Sequence, residues 1–179
     1  MRAGFATGAL LAVVASRVLP PMVGRMTGTA RVAAGRDPFD ALADDHRQLL
    51  SLLTSLAEGA ADGAFMNTQR LLRLKRRMAA HALAEEDVVY PVLFEHERQE
   101  HARRLYAEHA EMKVHLHALE EMAKEGPAFA DRVRRLHDLV ESHGGEEERD
   151  VFPLLRDRLD RQALARLSGQ VQREKSFIL

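Results

Sequence analysis

His81-Ala82-Leu83-Ala84-Glu85-Glu86-Asp87-Val88-Val89-Tyr90-Pro91 and His143-Gly144-Gly145-Glu146-Glu147-Glu148-Arg149-Asp150-Val151-Phe152-Pro153 are two versions of one phrase. Each has a histidine, a glutamate pair starting four residues later, and an aromatic-proline step that sets the proline ten residues after the histidine. An acid-histidine pair precedes each phrase by about 35 residues: Asp45-His46 in one case, Glu108-His109 in the other. The stretches 40–91 and 103–153 therefore read as a duplicated helical hairpin.

Working outward, the punctuation agrees with four long helices. Asp37-Pro38 offers an N-cap with proline at the first helical position, and Gly59 a stop, so helix one is expected over 38–58. Helix two is expected over about 67–88, halting near Tyr90-Pro91, and helix three over about 98–125, ending at Gly126-Pro127. Helix four should then run to about 149, before Phe152-Pro153, with a short polar helix over 160–172 and a tail at 173–179. No stretch alternates with period two as a half-buried strand would. Apolar positions recur at helical spacing, and the joins are short. The expected fold is an all-α, up-down four-helix bundle over 37–172 with a short C-terminal helix.

Composition supports this. Of 179 residues, 30% are charged and 5% aromatic, and Gly and Pro are scarce. The formal net charge of −1, from 26 basic and 27 acidic residues, supplies no bulk field towards nucleic acid or an anionic membrane. The basic run Arg70, Arg73, Lys75, Arg76, Arg77 lacks interleaved aromatics and reads as a solvated helix face, so no nucleic-acid partner is expected. With no cysteine, disulfides, thiolate metal sites and thiol nucleophiles are excluded.

Residues 1–36 form an N-terminal apolar appendage distinct from this body. Gly4 to Ser16 is apolar or small, too short for the roughly 20 residues of a spanning helix. The small-x-small site Gly28-Thr29-Ala30 lies too far beyond it for a cleavage signal. A surface anchor, an uncleaved short membrane helix and a helix packed on the body all remain compatible. The expected location is cytoplasmic, either free or held at a membrane through residues 4–23.

Nine histidines are many for this length. A His followed four residues later by Glu puts both side chains on one helix face, but that spacing occurs at His81, His96, His117, His137 and His143. Only the units at His81 and His143 carry the aromatic-proline ending. The apolar stripes make the same selection. His46 lies with Leu42, Leu49 and Leu53, His81 with Leu74 and Met78, His109 with Leu105 and Met112, and His143 with Leu136 and Val140. His96, His101, His115, His117 and His137 have polar or mixed neighbours and read as surface or rim residues. A single core histidine is most simply a hydrogen-bonded structural group. Four of them converging with Glu85 and Glu147 point to metal, because buried carboxylates cost several kcal/mol without a cation. Imidazole and carboxylate without thiolate suit iron, manganese or zinc.

These residues closely resemble the hemerythrin-like, or HHE cation-binding, domain over about 37–170. The resemblance implies a non-heme di-iron centre, oxo- or hydroxo-bridged. His46 and His81 would hold one iron, His109 and His143 the other, with Glu85 and Glu147 bridging. It further implies a protein that binds or senses dioxygen, nitric oxide or iron; a redox enzyme acting on peroxide or nitric oxide is the alternative. One position departs from the oxygen-carrying members: where they have a second histidine one turn after the helix-three ligand, this chain has Lys113. Tyr106, one turn before His109, is a candidate ligand, supporting donor or plain core residue. Glu86 and Glu146 are candidates to support the ligands or to be exposed acids.

Overall fold

The computed structural model describes residues 37–95 and 98–178, so the apolar appendage and His96 lie outside the described residues. Asp37 caps the first helix by accepting from the Asp40 N–H at 2.9 Å, with Pro38 next to it where a missing N–H costs nothing. This helix, α1, runs Pro38–Glu58 and passes through a 3-10 turn, Gly59–Ala61. Gly63, at φ 93°, then turns the chain into α2, Ala64–Ala84.

α2 does not halt at Tyr90-Pro91. One π-turn, Glu85–Val89, widens the helix, which continues as α3, Tyr90–Glu95. In this turn the Tyr90 N–H donates to the Glu85 carbonyl, five residues back. The next donor in that register would be Pro91, which has no N–H, so the Glu86 carbonyl is left free. The Tyr106 hydroxyl donates to it at 2.6 Å. Tyr106 is thus a donor to the backbone, where the sequence left its role open.

The second half follows the same course. α4 covers Gln99–Glu121, stopping four residues before the expected 125 as Met122 turns extended. α5 covers Gly126–Glu146 and passes through a second π-turn, Glu147–Val151, into α6, Phe152–Arg158. Here too the proline follows a wide turn instead of ending the helix. α7, Arg161–Lys175, is capped by Asp160 and runs past the expected end at 172. It is less polar than its sequence suggests, since Leu167 and Val171 are buried.

The described residues contain no strand. The core divides into two clusters. One holds Leu49, Leu53, Met78, Met112, Phe129 and Val140; the other holds Phe39, Leu42, Val88, Leu105, Phe152 and Val171. α1 and α4 run from the second cluster to the first, and α2 and α5 run back, which is the up-down order expected. On each helix the core histidine falls between the two clusters. The site is therefore a polar layer closed above and below by packed apolar side chains.

Candidate metal centre

His46, His81, His109 and His143 are each at most 5% exposed, and Glu85 and Glu147 are fully buried. α1, α2, α4 and α5 each contribute one imidazole. The two glutamates come from the first residues of the π-turns. The rings form two pairs, His46 with His81 at 4.7 Å between centroids and His109 with His143 at 4.6 Å. Between pairs the spacing opens to 6.4 Å for His46–His143 and 6.3 Å for His81–His109.

The carboxylates lie across that division. Glu85 Oε2 is 3.0 Å from His81 Nε2 and 3.3 Å from His109 Nε2. Glu147 Oε2 is 3.2 Å from His46 Nε2 and 3.4 Å from His143 Nε2. Each glutamate therefore makes its closest contacts to one imidazole of each pair, and Glu85 Oε1 also lies 3.8 Å from His46 Nε2. Donor atoms of His46, His81, Glu85 and Glu147 lie within 4.8 Å of one another, as do those of Glu85, His109 and His143. His46 Nε2, both Glu85 oxygens and Glu147 Oε2 are buried without a hydrogen-bond partner. Orphaned donor atoms of this kind, aimed at a common centre, are a large cost for a bundle without a cation and a ready ligand set for one that has it.

The outer nitrogens are engaged separately. His46 Nδ1 meets Glu148 at 2.9 Å, His109 Nδ1 meets Glu86 at 2.9 Å, and His143 Nδ1 meets Glu108 at 2.7 Å. His81 Nδ1 faces Asp45 at 3.7 Å. A carboxylate at Nδ1 holds the proton there, leaving Nε2 as the lone-pair donor towards the centre. The pairing has a rule. The acid before each half's first histidine serves the second histidine of its own half, as in Asp45–His81 and Glu108–His143. The acid after each central glutamate, Glu85 or Glu147, serves the opposite half, as in Glu86–His109 and Glu148–His46. Cations back three of them: Lys175 pairs with Asp45, Lys113 with Glu86 at 2.6 Å, and Arg104 lies 3.8 Å from Glu108.

Electrostatics follow from this arrangement. Burial works to lower the His81 pKa, but the Glu85 charge and the Asp45 and Glu85 contacts outweigh it and push it up to about 10. Burial works to raise Glu85, yet the surrounding imidazoles hold it well below the usual carboxylate range. The bond to His109 lowers Glu86, and the bond to His143 lowers Glu108. Burial, then the Glu85 and Glu147 charges, keep the Tyr90 phenol protonated far above its ordinary range.

All six expected ligand residues converge. Glu86 is an Nδ1 partner, whereas Glu146 binds Arg104 and His101 on the surface. Lys113 points outward, 57% exposed, and is not among the converging donors. His101, His115, His117 and His137 lie outside the polar layer.

Five contributors were not foreseen. The Tyr90 hydroxyl donates to Glu147 Oε1 at 3.0 Å and lies 3.2 Å from His109 Nε2. Its counterpart Phe152 instead stacks on His46, 6.0 Å away and 5° from parallel. Glu148 was visible only as a member of the repeated phrase, and Glu108 only as the acid before His109. Gly144 lies against His46: a Cβ there would stand 2.8 Å from ring atoms Cγ and Nδ1.

A helical bundle carrying a buried layer of imidazoles and carboxylates is a metal-binding domain in its design. The chain belongs to the hemerythrin HHE cation-binding domain family, whose model matches residues 37–155. A DNA nickase of Nostoc sp. (strain PCC 7120) is 29% identical over 139 residues, covering 78% of this chain. This chain spans only 39% of that protein's length. An uncharacterized hemerythrin-like protein of Schizosaccharomyces pombe is 26% identical over 142 residues, covering 78% of this chain and 69% of that one. No solved structure matches. No described helix is long and apolar enough to cross a membrane.

Proposed function

We propose that the chain is a non-heme di-iron protein that binds or senses dioxygen, nitric oxide or iron. The observation that carries this is the placement of Glu85 and Glu147, each fully buried and each lying between one imidazole of either pair. His46 and His81 would hold one ion, His109 and His143 the other, with both glutamates shared. Zinc or manganese would fit the same donors. When bound, an iron pair supplies one-electron steps and open coordination positions. The chain's own part is to present four Nε2 atoms, exclude water with the two apolar clusters, and keep the Tyr90 proton directed at Glu147.

Metal analysis of the purified protein, with optical spectra of the reduced and reoxidised forms, tests this. Two irons per chain with oxo-bridge charge-transfer bands are expected, and both are lost in His81→Ala. Absence of metal after anaerobic iron loading overturns it.

A redox enzyme at the same centre is a second reading, favoured by Lys113. With that side chain turned out to Glu86, neither ion would take a third imidazole, and both would keep a position for a reactant. Turnover of peroxide or nitric oxide that vanishes in His81→Ala would establish it. The Nostoc relative's name leaves interaction with nucleic acid open. On α2, Arg70 pairs with Asp62, Lys75 with Glu120, and Arg77 binds Gln48, so much of the basic run is engaged within the chain. Supercoiled plasmid is expected to stay intact with iron-loaded protein; nicking that disappears in His81→Ala would bring in that activity.

A further inference from the structure

The duplicated halves do not close symmetrically. α1 and α5 approach closely, with glycine at 144 beneath His46, whereas α2 and α4 come together much less. The wide seam holds a cavity of about 270 Å³. The four ligand imidazoles form its inner end. Leu49, Met78, Met112, Leu116 and Val140 form its walls. It reaches the surface beside Lys75, Lys113, His117 and Glu120.

This space is poorly suited to water, which needs two to four polar partners. Its walls are mainly side-chain carbon, and the lining imidazoles have Nδ1 of His46, His109 and His143 bonded to outer carboxylates and Nε2 turned towards Glu85 and Glu147. It is also much larger than a diatomic molecule requires. An apolar cavity of about 150 Å³ stays dry and takes up benzene. The cations at the mouth are already neutralised, Lys75 by Glu120 and Lys113 by Glu86, so an anionic headgroup finds no free positive charge in those two lysines.

We propose that the cavity between α2 and α4 is a binding site for a neutral, apolar organic molecule of roughly ten non-hydrogen atoms, held against the four imidazoles. That such a molecule is what the centre senses or acts on rests on the metal reading above; the binding itself does not. The molecule enters past the Lys75–Glu120 pair and buries its carbon surface against Met78, Met112 and Leu116. It thereby displaces no ordered polar contact of the ligand set.

The test is methyl NMR of the full chain, methionine-labelled and zinc-loaded to keep it diamagnetic, titrated with indane, benzene and octanoate. The expected result is a saturable shift of the Met78 and Met112 methyls with indane, weaker with benzene, while exposed Met66 stays unmoved. Intermolecular contacts should run from indane to both methyls. Leu116→Trp, which fills the cavity, should weaken indane by about tenfold or more; the intermolecular contacts keep the test decisive should that variant not fold. No saturable shift up to the solubility limit overturns the proposal, and octanoate binding more tightly than indane overturns the neutral class. The two readings fail separately. A chain that takes up metal but no indane refutes the cavity site alone, and one that takes up indane but no metal refutes the metal centre alone.

Discussion

Replacing Gly144 with alanine should cost the centre its hold on His46. The added Cβ would stand 2.8 Å from both Cγ and Nδ1 of that ring, against the roughly 3.5–4.0 Å at which such atoms rest. One or the other must move by more than half an ångström. The ring has little freedom, since Phe152 stacks on it and Glu148 binds Nδ1. Backing away would carry Nε2 off its position 3.2 Å from Glu147. Overpacking of this sort costs about 1–3 kcal/mol, offset by the roughly 1 kcal/mol that alanine gains over glycine within a helix. The net change in the metal-free protein is therefore small, about 0–2 kcal/mol destabilising. Metal affinity should fall by about 10–100-fold, the range seen when a ligand loses its orientation. Gly145→Ala is the matched control, because its Cβ meets only the end of the flexible Arg149 side chain at 3.0 Å. Chelator competition on both variants, with denaturant unfolding of the metal-free forms, separates affinity from stability. Equal metal affinity in Gly144→Ala, Gly145→Ala and the parent would refute the reasoning.

Other outcomes follow from the same geometry. Glu85→Gln should lose metal uptake, and its metal-free form should unfold at lower urea than the parent, because it leaves the protonated His81 without the buried carboxylate 3.0 Å from it; a metal-free variant as stable as the parent would argue against that pairing. His81 carries a proton up to about pH 10 in the metal-free fold, so its pairing with Glu85 contributes stability that is full below pH 6.5 and fades as pH rises towards 10. Metal must displace that proton, and calorimetry of zinc binding near pH 7 in buffers of different ionisation enthalpy should show net proton release, with affinity rising with pH. Burial raises Asp37, but Arg156 and the Asp40 N–H outweigh it and lower its pKa, so this cap's contribution is full above its ordinary pKa of 3.8 and lost as pH falls through the lowered value. Asp37→Ala should cost about 1 kcal/mol at pH 7 and less near pH 3; an unchanged difference across that range would exclude the ionised cap. Tyr106→Phe should destabilise by about 1 kcal/mol through the unpaired Glu86 carbonyl without altering the number of metals bound.

The six inward residues were legible because two independent signals, the repeated phrase and the apolar stripes, picked out the same positions. Helix continuation past Pro91 and Pro153 was not. A proline is read as a stop on the assumption of an unbroken four-residue ladder, and a π-turn immediately before it changes which carbonyl is left unbonded. Nothing in the local pattern distinguishes Glu85–Val89 from ordinary helix. The Nδ1 partners were half legible. Asp45 and Glu108 belong to the acid-histidine pairs and Glu86 and Glu148 to the repeated phrases, yet which histidine each serves depends on how two hairpins meet. Adjacency misleads here: Asp45 neighbours His46 in the chain and faces His81 in the fold, because successive helical residues point about 100° apart.

The same crossing accounts for Lys113. One turn beyond His109, a side chain on α4 can reach inwards to the centre or outwards along Glu86, and lysine takes the outer course at 2.6 Å. Glu86 in turn holds His109 Nδ1 at 2.9 Å. A histidine at this position would supply a third imidazole only by leaving Glu86 without its cation, and it would fill part of the seam that the cavity now occupies. The departure from the carrier pattern, the open seam between α2 and α4, and the backing of His109 are therefore one structural choice. On the two-ion reading proposed above, a centre built this way would give up a saturated ion on the His109 side and keep room beside both.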